Sequence, residues 1–177
     1  MRRRLILQWL LIGGMALAAG SATAQDPVQP GPSQPARAEQ PEILEREFFA
    51  AIREGDATKF LSYVPEQGTN VGGRAEHMSR AEIEQQFAQH RGLYCRLFDS
   101  SCIQSPVKFA AGVHACSYRE LLTHSDKVRT AATDAVRGGV RQAILVAEVK
   151  NDQCSGLGLI DFIFNEGHNG WQLFSVP

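Results

Sequence analysis

Asp161 interrupts an apolar run, with Leu157-Gly158-Leu159-Ile160 before it and Phe162-Ile163-Phe164 after it. On a strand its carboxylate shares a face with Leu159 and Ile163. Burying a carboxylate on such a face is costly without a partner, and groups of that kind collect at functional sites. With a donor in reach, Asp161 would serve as a general base for isomerisation or dehydration. The candidate partners are His114 and Tyr118, which share a strand face with Cys116 by period two. Tyr63, Tyr94 and Glu148 are further candidates for ligand contacts, with Glu148 on a neighbouring strand. The plainer reading makes Asp161 an outward-facing residue, or one paired with Arg119 or Arg141. Alternation says which residues share a face, not which face is inside. His77, His90, His114, His124 and His168 show no metal-ligand spacing such as His-x-x-x-His; His90 falls at a helix end and His168 in a turn.

The four cysteines, Cys95, Cys102, Cys116 and Cys154, form no Cys-x-x-Cys pair. Their spacing disfavours zinc, and no metal site is expected. In an exported chain an even number favours disulfides, with three possible pairings. The spacing favours Cys95–Cys102, closing a small loop, and Cys116–Cys154, tying a strand to a hairpin tip. The alternative is buried thiols acting as small apolar groups.

Export is read from the first residues. Met1-Arg2-Arg3-Arg4 precedes an apolar stretch from Leu5 to Ala19, and Ala22-Thr23-Ala24 stands before Gln25. This is the pattern of a cleaved signal peptide over residues 1–24, too short and glycine-rich for a spanning helix of about 20 residues. No cysteine stands at the cut for a lipoprotein anchor, and Arg2-Arg3 runs straight into apolar residues, unlike a twin-arginine signal. The expected location is the periplasm or the medium, with no membrane anchor after cleavage. Cleavage removes three arginines and no acid, moving the formal charge from −1 to −4. A mildly acidic chain without a basic block has no footprint for nucleic acid or anionic lipid. No nucleophile elbow, P-loop, dinucleotide fingerprint or His-Glu-x-x-His occurs, and no cofactor is expected.

Residues 25–40 hold four prolines and almost nothing to bury, and read as a disordered linker. Residues 41–177 suit one domain. Pro41, Leu44, Phe48, Ala51 and Ile52 predict a helix ended by Gly55. Asp56 caps a second helix carrying Phe60, Leu61 and Val64 up to Pro65. Residues 66–76 read as loop with at most a short strand. Ser79-Arg80-Ala81-Glu82 is a capping box that opens a third helix with Ile83 and Phe87 inside. Strands are expected at 93–98, 106–110, 113–122, 142–149, 157–164 and 171–176, with turns at 151–156 and 165–170. Val128, Ala131, Ala132, Ala135 and Val136 fit a short helix capped by Ser125 and ended by Arg137-Gly138-Gly139, or else an irregular excursion between strands. Helices first and antiparallel strands after predict an α+β domain with helices on one face of a curved antiparallel sheet. Ala51, Ile52, Phe60, Leu61, Ile83, Phe87, Ile160, Phe162, Trp171 and Leu173 are its expected core.

This order resembles the NTF2-like (SnoaL-like, cystatin-like) superfamily. The resemblance rests on the helix ending Ala51-Ile52-Arg53-Glu54-Gly55-Asp56-Ala57, on the short capped helix at 79–91, and on the closing hairpin of 159–164 and 170–174. It implies a cone-like fold with a cavity between helices and sheet. Its members include isomerases, cyclases, dehydratases and non-catalytic proteins, so it does not decide function. A homodimer through the open sheet face is implied by the resemblance alone. The chain departs from the pattern in its four cysteines and in the length of 123–141.

The functional expectation is a non-catalytic exported domain that binds a small apolar or mixed ligand or an envelope protein. The alternative is a cavity enzyme using Asp161. Convergence of Asp161, His114 and Tyr118 in one pocket separates the two readings.

Overall fold

Pro41 opens helix α1, Pro41–Glu54, where a missing N–H costs nothing. A computed structural model describes residues 40–104, 110–154 and 158–177. The proposed signal and linker, apart from residue 40, lie outside the described residues, as do 106–109 of the expected second strand. Helix α1 ends at Gly55, whose φ of +76° lets its N–H reach the carbonyls of Ala51 and Ile52. Asp56 then caps α2, Ala57–Ser62, accepting the Lys59 N–H at 2.8 Å. Residues 66–76 contribute β1, Thr69–Val71, and the start of β2, Glu76–Met78. Gly68 before them has φ +92°, and a Cβ there would lie 2.1 Å from the Met78 carbonyl oxygen. The capping box forms at the head of α3, Arg80–Ala88, with Ile83 and Phe87 buried.

Three expected elements are corrected. Residues 93–98 are helix α4, Leu93–Phe98, not a strand. Leu93 with Leu97, and Tyr94 with Phe98, stand four apart, and a six-residue apolar run does not distinguish the two periods. Most of 113–122 is not a strand either. His114 makes only an isolated parallel bridge to Cys154, and Tyr118–His124 is helix α5. Ser117-Tyr118-Arg119-Glu120 carries the same Ser-x-x-Glu signal as α3, and the Ser117 hydroxyl accepts the Glu120 N–H at 3.2 Å. The third correction is the short helix expected over 128–136. Lys127–Arg137 is strand β3, paired residue for residue with β4, Val140–Lys150. Val128, Ala132 and Val136 are four apart, a spacing that satisfies period two as well as a helical stripe. Gly138 and Gly139, read as a helix stop, form the two-residue hairpin loop with φ of +57° and +79°.

Strands β5, Leu159–Gly167, and β6, Gly170–Val176, complete a six-stranded sheet in the order β2-β1-β6-β5-β4-β3. The sheet is mixed and open rather than wholly antiparallel, because β1 runs parallel to β6. The architecture is α+β. Alternate residues of β4 (Ala143, Leu145, Ala147) and β5 (Ile160, Phe162, Phe164) face the helices and are buried. Phe48 of α1 sits at the centre of this layer, its ring 4.8 Å from Phe162 and 4.9 Å from Phe164. Phe60 stacks on Phe87 at 5.5 Å, extending the aromatic core to α3. Of the expected core, Leu61 alone is only partly buried.

Candidate functional site

The acid–base candidates do not converge. On β5 the inward positions are Ile160, Phe162 and Phe164, so Asp161 points outward and is exposed, opposite Val146 of β4. Neither suggested arginine pairs with it among the described residues. Arg119 donates to the Arg53 carbonyl, while Arg141 grips Asp134 at 2.8 Å and approaches Glu166 at 3.5 Å. Tyr118 is buried and packs edge-on against Phe162 at 5.7 Å. Its hydroxyl donates to the Pro177 carbonyl at 3.0 Å. Burial pushes the Tyr118 phenol up to about 12, with the Arg96 charge opposing and the Asp161 charge adding. Tyr118 thus senses Asp161 only through its field.

His114 is half exposed and turned to α5, where its Nε2 donates to Glu120 Oε1 at 2.8 Å. Burial works to raise the Glu120 carboxyl. The hydrogen bonds of His114 and Ser100, with the charges of His114 and His124, outweigh burial and hold it below the usual range. No group makes a well-formed hydrogen bond to the buried Oε2 of Glu120.

The other candidates are dispersed as well. Tyr63 packs against Phe48 and Phe164, with Lys59 over its ring. Tyr94 stacks on His90 at 4.3 Å. Glu148 is exposed on the outward sheet face, opposite Arg129 and Leu159. Both favoured cysteine pairs are closed: Cys95–Cys102, seven residues apart, and Cys116–Cys154, thirty-eight apart.

Rings pack between α1 and the sheet, and two concavities open elsewhere on the described residues. The larger is a cleft of about 810 Å³ between the β1–β2 hairpin, α3, the start of α4 and residues 102–104. Its apolar wall is Val71, Met78, Leu93, Ile103 and the Cys95–Cys102 disulfide. Its polar wall carries Arg74, Arg91 and Arg96 against Glu76 and Glu82. Glu82 is committed to the helix cap, accepting from the Ser79 N–H at 2.8 Å and hydroxyl at 2.6 Å. Gln86 braces the floor: its Oε1 accepts the Leu93 N–H at 2.7 Å and its amide nitrogen lies 3.4 Å from the Met78 sulfur. Arg96 donates to the Pro177 carbonyl at 3.1 Å and lies beside Gly72. Arg74 has no ionic or hydrogen-bonding partner among the described residues. A smaller concavity of about 420 Å³ lies over Arg53, Ser100, Arg119, Glu120 and His124.

Sequence reasoning singled out none of these cleft arginines. The signals available were the Gly72-Gly73-Arg74 turn and Arg91 and Arg96 flanking the start of α4. Glu120 was equally unmarked, although the Ser-x-x-Glu cap at Ser117 was there to be seen. No family model, no curated protein and no solved structure matches the chain.

Proposed function

We propose that this chain is an exported binding domain that holds a small ligand in the cleft beside α3 and α4 without transforming it. The observation that carries this reading is the separation of the acid–base candidates from that cleft. Neither Asp161, His114 nor Tyr118 lines it, and each has a different environment. General acid–base catalysis needs its groups within hydrogen-bond reach of one substrate. Binding needs an apolar wall and a few oriented polar groups. The proposed ligand class is a small amphiphilic acid: apolar atoms against Leu93, Ile103 and Met78, and a carboxylate among the guanidinium groups, whose planar fork suits it.

Two parts of the reading have separate support. Export to the periplasm or medium is supported by the N-terminal pattern and by two closed cysteine pairs, which persist in oxidising compartments. NTF2-like architecture is supported by the helix pair α1–α2, the capped α3 and the long hairpins of β3 to β6.

Calorimetric titration with monocarboxylates from acetate to decanoate, beside the matching alcohols, tests the ligand class. Acids are expected to bind more tightly than their alcohols, and Arg74→Gln and Arg96→Gln to remove most of the difference. Equal affinity for acid and alcohol contradicts it. An isomerase- or dehydratase-type turnover abolished by Asp161→Asn, with the thermal melt unchanged, would restore the enzyme reading. For export, intact-mass measurement of the secreted or periplasmic protein is expected to show a chain beginning at Gln25. A full-length species held in the membrane contradicts that.

A further inference from the structure

His114, Cys116 and Glu120 bring three kinds of metal-binding side chain together, their ligand atoms all within 4.8 Å of one another. Cys116 is bonded to Cys154, and a disulfide sulfur is no thiolate. We propose that reduction of the Cys116–Cys154 disulfide turns this cluster into a four-ligand site for a thiophilic divalent cation of the zinc class. The ligands are His114 Nε2, Cys116 Sγ, Cys154 Sγ and a Glu120 carboxylate oxygen.

Two of the ligand spacings already lie near those of a tetrahedral zinc site, and the two sulfurs must part from bonding distance to about 3.8 Å once the disulfide is reduced. A tetrahedral zinc ion with Zn–N of about 2.05 Å and Zn–S of about 2.3 Å spans about 3.6 Å between those two ligand atoms. His114 Nε2 and Cys116 Sγ stand 3.5 Å apart. Nε2 and Glu120 Oε1, at 2.8 Å, need to part by only about half an ångström to fit the same tetrahedron.

Backbone contacts as well as the disulfide hold Cys154 beside His114. His114 bridges Cys154 in parallel, with the His114 N–H donating to the Gln153 carbonyl at 2.9 Å. Ser117 caps α5 and so fixes Glu120 at its third position. The buried Oε2 of Glu120 lacks a well-formed hydrogen bond, and half-exposed His114 leaves a way in from solvent. Sulfur ligands select zinc-class ions over magnesium or calcium.

The step balances. A dithiol reductant gives two electrons and two protons to the Cys116–Cys154 bond and itself becomes a disulfide. The cation then binds as both thiols release their protons to solvent and the Nε2 proton transfers through water to Nδ1, so the imidazole stays neutral and binds through Nε2. The oxidised chain offers only His114 and Glu120, so binding follows the redox state. The sparse cysteine spacing in sequence hid this set, because His114 and Cys116 are local while Cys154 arrives through the fold.

Cobalt(II) is the probe, because thiolate ligation gives it a charge-transfer absorption band. The mature protein is reduced with a dithiol, desalted under argon and titrated with cobalt, then zinc. One equivalent with a thiolate band is expected in the reduced wild type and in Cys95→Ser/Cys102→Ser. No band is expected in the oxidised protein or in Cys116→Ser/Cys154→Ser. His114→Ala and Glu120→Gln should each weaken affinity at least tenfold, with far-UV circular dichroism showing whether each variant is folded. If reduction loosens the fold, near-UV dichroism should return on adding zinc. A reduced protein that binds no cobalt overturns the proposal, as does an unchanged band in Cys116→Ser/Cys154→Ser. Wild-type affinity in His114→Ala, or a reduced chain that stays unfolded with zinc, overturns it too.

Discussion

The two disulfides staple very different parts of the molecule. Cys95–Cys102 joins residues seven apart, from α4 through a single 3-10 turn, and both cysteines line the cleft. Cys116–Cys154 joins residues thirty-eight apart and ties the start of α5 to the turn after β4. The short staple shapes a surface. The long one restrains the unfolded chain and stands among side chains able to do other chemistry once it opens. The difference comes from topology: only the fold brings residue 154 to residue 116, whereas residues 95 and 102 meet through local turns.

Removing either disulfide should act most strongly on stability. On the chain-entropy model, Cys116→Ser/Cys154→Ser should lose about 4 kcal/mol of unfolding free energy and Cys95→Ser/Cys102→Ser about 2. Denaturant melts of the oxidised proteins measure both. The short-loop variant should also lose affinity at the cleft, which the long-loop variant retains. The reverse order of stability would break the assignment of roles.

The helix caps beside the two disulfides should have smaller effects. Ser117→Ala and Ser79→Ala each remove a side-chain acceptor at a helix head, a loss of about 1 kcal/mol. Ser117→Ala should in addition weaken cobalt binding by the reduced protein, since it frees Glu120. Ser79→Ala should leave that binding unchanged and loosen Glu82 at the cleft, which keeps its bond from the backbone N–H of residue 79 and loses the one from the hydroxyl.

The smallest effect is a titration. Tyr118 keeps its proton to about 12 because burial favours the neutral phenol. Its folded value lies above the unfolded value of about 10, so its contribution to stability is whole below pH 10 and is lost as pH rises through 12. Phenolate absorbance should show a late step that disappears in Tyr118→Phe. If the late step survives that substitution, another tyrosine carries it.

Much of this fold is legible in sequence wherever a pattern has one physical meaning. The capping box at Ser79–Glu82, the Gly55 stop and the long alternation of β4 and β5 each admit one structure. The errors fall where a pattern has two meanings. Residues spaced by four along 128–136 satisfy helix and strand alike, and pairing with β4 decides. Six apolar residues at 93–98 are too few to set a period. Asp161 shows the same limit at the site: alternation put it with Leu159 and Ile163, and only the packing of Phe48 on Phe162 and Phe164 says which face is in. The cleft was illegible because its walls come from four separated segments whose arginines carry no local motif.

The central claim, a binding cleft separate from the acid–base candidates, is tested most directly by amide chemical-shift mapping with octanoate. Shifts are expected to cluster at Gly72, Gly73, Arg74, Leu93 and Arg96, to shrink in Arg96→Gln and to be indifferent to Asp161→Asn. Shifts centred on Asp161, His114 or the strands facing Phe48, with the cleft amides unmoved, would contradict it.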